Sequence, residues 1–256
     1  MKTLGMLTVV IALTAGLHYG GIVNLTPIAD QTVQILEQYE VVERGPIYTI
    51  IGLDVTAGRE RELMKDRKAI GELIRIMRAG DHMVVYLIHS RAESEQEAVF
   101  STKMPDNQGP MSQVLTRAKH SAESSWSSCW DKNVISVIHS DKKQQTDLFG
   151  FMRFVASQKP EFLEHKKAIL LLFTDGQQVG DGFNFEKSGP TNADLERAEK
   201  MGLIPELPGV SLVFAGVTPT HRISNEHWRK IQSFWKDYGY QSRARSTKVS
   251  SERIML

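Results

Sequence analysis

The sequence predicts an α/β protein, a doubly wound and mostly parallel sheet with helices on both faces, and three observations carry that expectation. Apolar runs of strand length at Ile47–Val55, His82–His89, Lys167–Phe173 and Val210–Val217 alternate with stretches of helical periodicity. Runs this apolar, with no polar residue at every second position, belong to strands covered on both faces. Two of them, Tyr48-Thr49-Ile50-Ile51-Gly52-Leu53-Asp54 and Ala168-Ile169-Leu170-Leu171-Leu172-Phe173-Thr174-Asp175, end in a lone carboxylate. Carboxylates at the C-terminal ends of buried parallel strands stand where open α/β sheets place their ligands.

The elements follow in order. Lys2 precedes a charge-free apolar run from Leu4 to Leu17, and no further charged residue occurs before Asp30. Residues 1–28 therefore read as an export signal peptide or a transmembrane anchor. Tyr19 to Val23 can lengthen the run past His18 towards the roughly 18 residues a span needs, which favours the anchor and leaves cleavage open. Asp30 caps a short amphipathic connector helix in residues 29–46, which ends before Gly45-Pro46. The folded domain occupies residues 47–240. Glu62 to Arg78 is helical, with Leu63, Ile70, Leu73, Ile74 and Met77 on one face and Gly80 closing it. Glu97 to Lys103 is a short edge strand that forms a hairpin with the His82 strand. Met111 begins a helical stretch, whereas Val134 to Ile138 fits strand or helix equally. Thr146 opens a helix through Leu148, Phe151 and Val155, and further helices cover Asn192–Met201 and Asn225–Tyr238. Residues 241–256 form a basic tail carrying Arg243, Arg245, Lys248 and Arg253.

Composition narrows the function classes. The 256 residues are 41% hydrophobic and 24% charged, ordinary values for a globular chain with a substantial core. A net charge of +1 supplies no electrostatic footprint for nucleic acid, so none is expected as a partner. Cys129 is the only cysteine, which excludes an intrachain disulfide and a cysteine-based zinc site. His82, His89, His139 and His227 are scattered and form no spaced ligand cluster.

Asp54-Val55-Thr56-Ala57-Gly58 after the first strand, Thr146-Asp147 before a later helix, and Thr174-Asp175-Gly176 after the fourth main strand resemble the von Willebrand factor A (VWA) family. The likeness covers residues 47–240 and implies a Rossmann-like VWA fold with the first and fourth main strands adjacent. It also implies a metal-ion-dependent adhesion site with Asp54, Thr56, Thr146 and Asp175 as metal residues around Mg2+ or another divalent cation. An acidic group of a partner protein would complete the coordination. Such a hard ion takes oxygen donors and keeps several waters, so a few carboxylates and hydroxyls suffice. Gly58 stands where the family pattern has a second serine, which leaves one ligand position to water and makes the site degenerate. Asp147 and Asp181 are outer carboxylates, although the helix dipole alone accounts for Asp147.

The expected function is thus a protein-binding module, exported or held at a membrane by its N-terminal segment, and not an enzyme. The alternative is a magnesium-dependent haloacid-dehalogenase-like phosphatase with Asp54 as nucleophile. That family requires a second aspartate two residues on, and position 56 is threonine, which cannot serve as a carboxylic acid or as a base near neutral pH.

Overall fold

The computed structural model describes residues 45–56, 59–89, 97–138, 145–158, 167–217 and 224–252. The expectations placed on residues 1–44, Gly58 and His139 lie outside the described residues. Among the described residues no helix is long and apolar enough to cross a membrane.

β1 (Ile47–Asp54) leads to α1 (Glu60–Ile76), and β2 (His82–Ile88) and β3 (Phe100–Lys103) follow. α2 (Gln113–Cys129) continues through a π-helical turn (Trp130–Val134) into the short α3 (Ile135–Ile138). α4 (Leu148–Ser157), β4 (Lys167–Phe173), a small hairpin of β5 (Val179–Gly180) and β6 (Phe183–Asn184), α5 (Asn192–Lys200), β7 (Val210–Ala215), α6 (Asn225–Gln241) and β8 (Ser246–Ser250) complete the chain. The main sheet has the order β3-β2-β1-β4-β7-β8, with β3 its one antiparallel member. The chain moves outward from β1 to β3 and then returns to build the other half, so the order reverses between β1 and β4. A reversal of this kind leaves a crevice at the C-terminal strand ends.

Side chains of β1 alternate between the two layers. Ile50 packs with α4 and α6 through Phe149, Phe151 and Trp235. Ile51 and Leu53 pack on the opposite face with Leu63, Ile70 and Ile74 of α1 and Trp126 of α2. Leu63, Ile70 and Ile74 recur at helical spacing, which gives α1 the apolar stripe that holds it on the sheet. Gly52 faces α4 at a point where a Cβ would lie 2.5 Å from Phe151 Cε1 and 2.7 Å from Leu172 Cδ2. Its missing side chain sets how closely α4 approaches the strand that carries Asp54.

The structure resolves the ambiguous run and corrects two boundaries. Val134 and Ile138, one helical turn apart, are buried, while Ser136 between them is exposed, so this segment is helix. The basic tail is not a free end, because Ser246–Ser250 pairs in parallel with β7 as a sixth strand. Only Val249 there is strongly apolar, so backbone pairing rather than a hydrophobic run makes the strand. At the start of α4 the N-cap is Asp147, whose Oδ1 accepts from Gly150 N at 2.8 Å, and not Thr146.

Candidate metal centre

β1 and β4 are neighbours in register, with Leu53 beside Phe173, so the two carboxylate-bearing strand ends meet at the switch point. Asp54 is fully buried there. Its Oδ1 accepts from Thr56 N at 3.1 Å and from Thr56 Oγ1 at 2.6 Å. Its Oδ2 accepts from Thr174 Oγ1 at 2.8 Å and lies 3.3 Å from Arg59 Nη1. Thr146, brought from the loop before α4, donates its hydroxyl to Thr56 Oγ1 at 2.9 Å. Asp54, Thr56 and Thr146 therefore form one hydrogen-bonded chain, with Asp175 in the turn beside them. Gln177 N and Nε2 hold the two oxygens of Asp175, at 3.0 and 3.2 Å.

The electrostatics separate the two aspartates. Burial does most to lift the Asp175 carboxyl, to about 6 from an ordinary 3.8; the charge of Asp54 adds, while Arg59 and the Gln177 amide oppose. The folded chain thus holds this proton more tightly than the unfolded chain. The stability linked to Asp175 is complete below about pH 4 and is lost as pH rises through about 6. Asp175→Asn, which removes the charge, is accordingly expected to raise stability in chelator at pH 7.5 by about 1–3 kcal/mol. The gain should vanish by pH 4. Denaturant unfolding across that range checks it, and an unchanged midpoint at pH 7.5 would mean the charge is already compensated.

The donor set fits a hard divalent ion, with roles that differ among the four residues. Two cis oxygens in an octahedron with bonds of 2.0–2.1 Å stand about 2.8–3.0 Å apart, and the Thr56 and Thr146 hydroxyls are separated by 2.9 Å. Thr56 spends its proton on Asp54 and Thr146 spends its own on Thr56, so both oxygens keep a lone pair free. Asp175 would supply the negative charge toward such an ion. Asp54 accepts three hydrogen bonds, two on Oδ1 and one on Oδ2, and its Oδ2 also faces Arg59 at 3.3 Å, so its part would be to aim Thr56 from behind. Among the described residues no group of three or more His, Cys, Asp or Glu is placed to hold a metal, so an ion here depends on hydroxyl oxygens.

The surroundings fix these loops. Gln178, fully buried, accepts from Leu148 N at 2.7 Å and Phe149 N at 3.2 Å, which ties the turn after Asp175 to the first turn of α4. Val179 N donates to Thr146 O at 3.0 Å, and Trp235 Nε1 donates to Gly176 O at 2.8 Å. Gly176 takes φ +78° there, a backbone state that suits glycine. Asp147 is spent on capping α4, and Asp181 is exposed at the tip of the β5–β6 hairpin, so neither joins the cluster. His227 bonds Phe185 O at 2.6 Å and the His82 ring packs edge-on against Tyr48. Sequence reasoning missed Arg59, Asp66 and Gln178, and gave Thr174, quoted as part of a motif, no role of its own. The available signal was a basic residue at the start of α1, where the helix dipole disfavours cations, with an acid two turns on at Asp66.

A doubly wound sheet with an antiparallel edge strand, and with an aspartate, two threonines and a second aspartate at its switch point, is the arrangement that the resemblance to the VWA family implies. No protein-family model matches the chain, and no curated protein matches it by sequence. Solved structures similar to it are distant in sequence. Proximal thread matrix protein 1 from the mussel byssus is 13% identical, over 81% of this chain and 44% of that one, with a TM-score of 0.41. The pilus adhesin SpaC from Lactobacillus rhamnosus GG, in its open conformation, is 10% identical over 82% of this chain and 28% of its own, with a TM-score of 0.44. A von Willebrand factor type A structure from Catenulispora acidiphila is 12% identical over 82% and 39%, with a TM-score of 0.37. The chain thus spans less than half the length of each.

Proposed function

We propose that this domain is a protein-binding module that engages an acidic group of a partner protein through a divalent cation, Mg2+ in the first place, at the C-terminal edge of the sheet. Thr56, Thr146 and Asp175 hold the ion, Asp54 orients Thr56, and an open position accepts the partner's carboxylate. When bound, the ion supplies a positive charge that a partner carboxylate can ligate. The observation that carries the reading is the hydroxyl pair of Thr56 and Thr146, spaced 2.9 Å apart with free lone pairs beside the buried Asp175 carboxyl. Calorimetric titration of the full chain with MgCl2 tests it. Binding heat is expected for the wild type and for none of Thr146→Val and Asp175→Ala, each with an unchanged circular dichroism spectrum. Equal heats for all three would end the proposal.

The same reading places the N-terminal segment, with its charge-free stretch after Lys2, as an export signal or membrane anchor. A reporter joined after Leu256 through a flexible linker is expected to be active outside the cytoplasm only. The phosphatase alternative requires Asp54 as a nucleophile, yet this carboxylate is fully buried, accepts three hydrogen bonds and is paired with Arg59. Hydrolysis of p-nitrophenyl phosphate that is lost in Asp54→Asn would restore that alternative.

A further inference from the structure

Arg59 is the largest charged group at this sheet edge that the proposed function does not use. The residue is 4% exposed. Nη1 donates to Phe173 O at 2.7 Å and to Asp54 O at 3.0 Å, the last carbonyls of β4 and β1. The same nitrogen lies 3.3 Å from Asp54 Oδ2, and Nη2 pairs with Asp66 Oδ2 at 3.0 Å. Burial pulls the guanidinium pKa down, but Asp54, Asp66 and Asp175 together outweigh it, so the group is held above its ordinary value. A planar fork of five donors is suited to such a task, since it can bond two carbonyls and two carboxylates at once, which a lysine ammonium cannot.

From this arrangement we infer that Arg59 is the resident cation of the sheet edge. It neutralises Asp54 and ties the ends of β1 and β4, work that would otherwise fall to a bound ion. Two consequences follow. The edge is assembled without metal, and the divalent ion of the proposed function is left with Thr56, Thr146 and a single carboxylate, Asp175. Affinity for such ions rises with the number of charged ligands, so the ion binds weakly until a partner carboxylate supplies the second charge. The charges agree with this division. Asp54, Asp66 and Asp175 carry three negative charges against one on Arg59, and a divalent ion brings the group to neutrality. The inference concerns how the proposed site is tuned and rests on that reading for the ion alone; the strand tie stands independently of it.

The experiment compares thermal unfolding of the full chain in EDTA and in MgCl2 or MnCl2, for the wild type, Arg59→Gln and Arg59→Lys, with metal affinity read by calorimetry. The wild type should keep its melting temperature in EDTA. Arg59→Gln should melt several degrees lower in EDTA, recover in metal, and bind the ion at least about tenfold more tightly, because Asp54 is released as a ligand. Arg59→Lys should lose part of the stability and gain no metal affinity, since its charge remains while its fork is gone. An Arg59→Gln protein with wild-type stability in EDTA would overturn the inference. So would a wild type that loses as much in EDTA as Arg59→Gln does. If Arg59→Gln does not fold in either condition, Arg59→Lys decides: a metal-independent melting temperature below the wild-type value supports the inference, and one restored by metal overturns it. A chain in which neither wild type nor Arg59→Gln responds to metal, with Arg59→Gln weakened in EDTA, would remove the ion from the proposed function and leave the tie in place.

Discussion

Asp54→Ala is expected to cost the domain about 3–5 kcal/mol, because it breaks a buried ion pair by removing one partner. Arg59 would keep Asp66 as its remaining ion-pair partner, and Thr56 N and the buried Thr174 Oγ1 would lose their acceptor. Each buried donor left without a partner adds to the loss. Urea unfolding at pH 7.5 in EDTA measures it. The double variant Asp54→Ala/Arg59→Met should lose less than the sum of its parts, since the unpaired charge is then absent. A loss below about 1 kcal/mol in the single variant would mean that the pair is solvated in solution.

Phe149→Ala should be comparably severe, about 3–5 kcal/mol, from lost burial and the cavity left behind. The ring is fully buried among Phe183 at 5.0 Å and Trp235 and Tyr238 at 5.6 Å between centroids, with Tyr238 stacked at 25°. Its backbone N–H also bonds Gln178, so the residue belongs both to the aromatic cluster and to the seat of the loop that carries Thr146. Loss of the ring should therefore weaken magnesium binding as well as the fold. Phe149→Leu, which fills most of the volume, should restore most of the stability, and a binding defect in Phe149→Leu equal to that of Phe149→Ala would place the effect outside packing.

What the sequence made legible follows from the strength of its hydrophobic signal. β1, β2, β4 and β7 are predominantly apolar because they are covered on both faces, and the ends of β1 and β4 locate Asp54 and Asp175 without further help. β8 escaped notice because Ser246-Thr247-Lys248-Val249-Ser250 offers one strong apolar residue at an edge, where pairing and not burial defines the strand. The β5–β6 hairpin was hidden for a different reason. Its two-residue strands are held by Phe183 and Phe185 in the aromatic cluster and by Arg197 lying 4.0 Å over the Phe183 ring, contacts between residues far apart in local pattern. Within the site, the hydroxyl chain of Thr56 and Thr146 followed the motif spacing. Arg59 did not, since its partners include a carbonyl contributed by another strand, Phe173 O.

The pairing of β1 with β4 also dictates an order of events during synthesis. A chain emerging from its N-terminus presents Asp54, Arg59 and Asp66 long before Lys167–Phe173 exists to sit beside β1. Of the four contacts made by Arg59, those to Asp54 and Asp66 lie within one strand-to-helix unit and can form early, whereas the bond to Phe173 O waits for the second half of the sheet. Until then β1 offers one edge to β2 and leaves the other open, the condition in which nascent strands pair wrongly with other chains. In the folded chain the guanidinium sits on Asp54 at the end of that edge, where Phe173 O meets it. The last strand to reach the centre is thus tied to the first by a side chain made long before it.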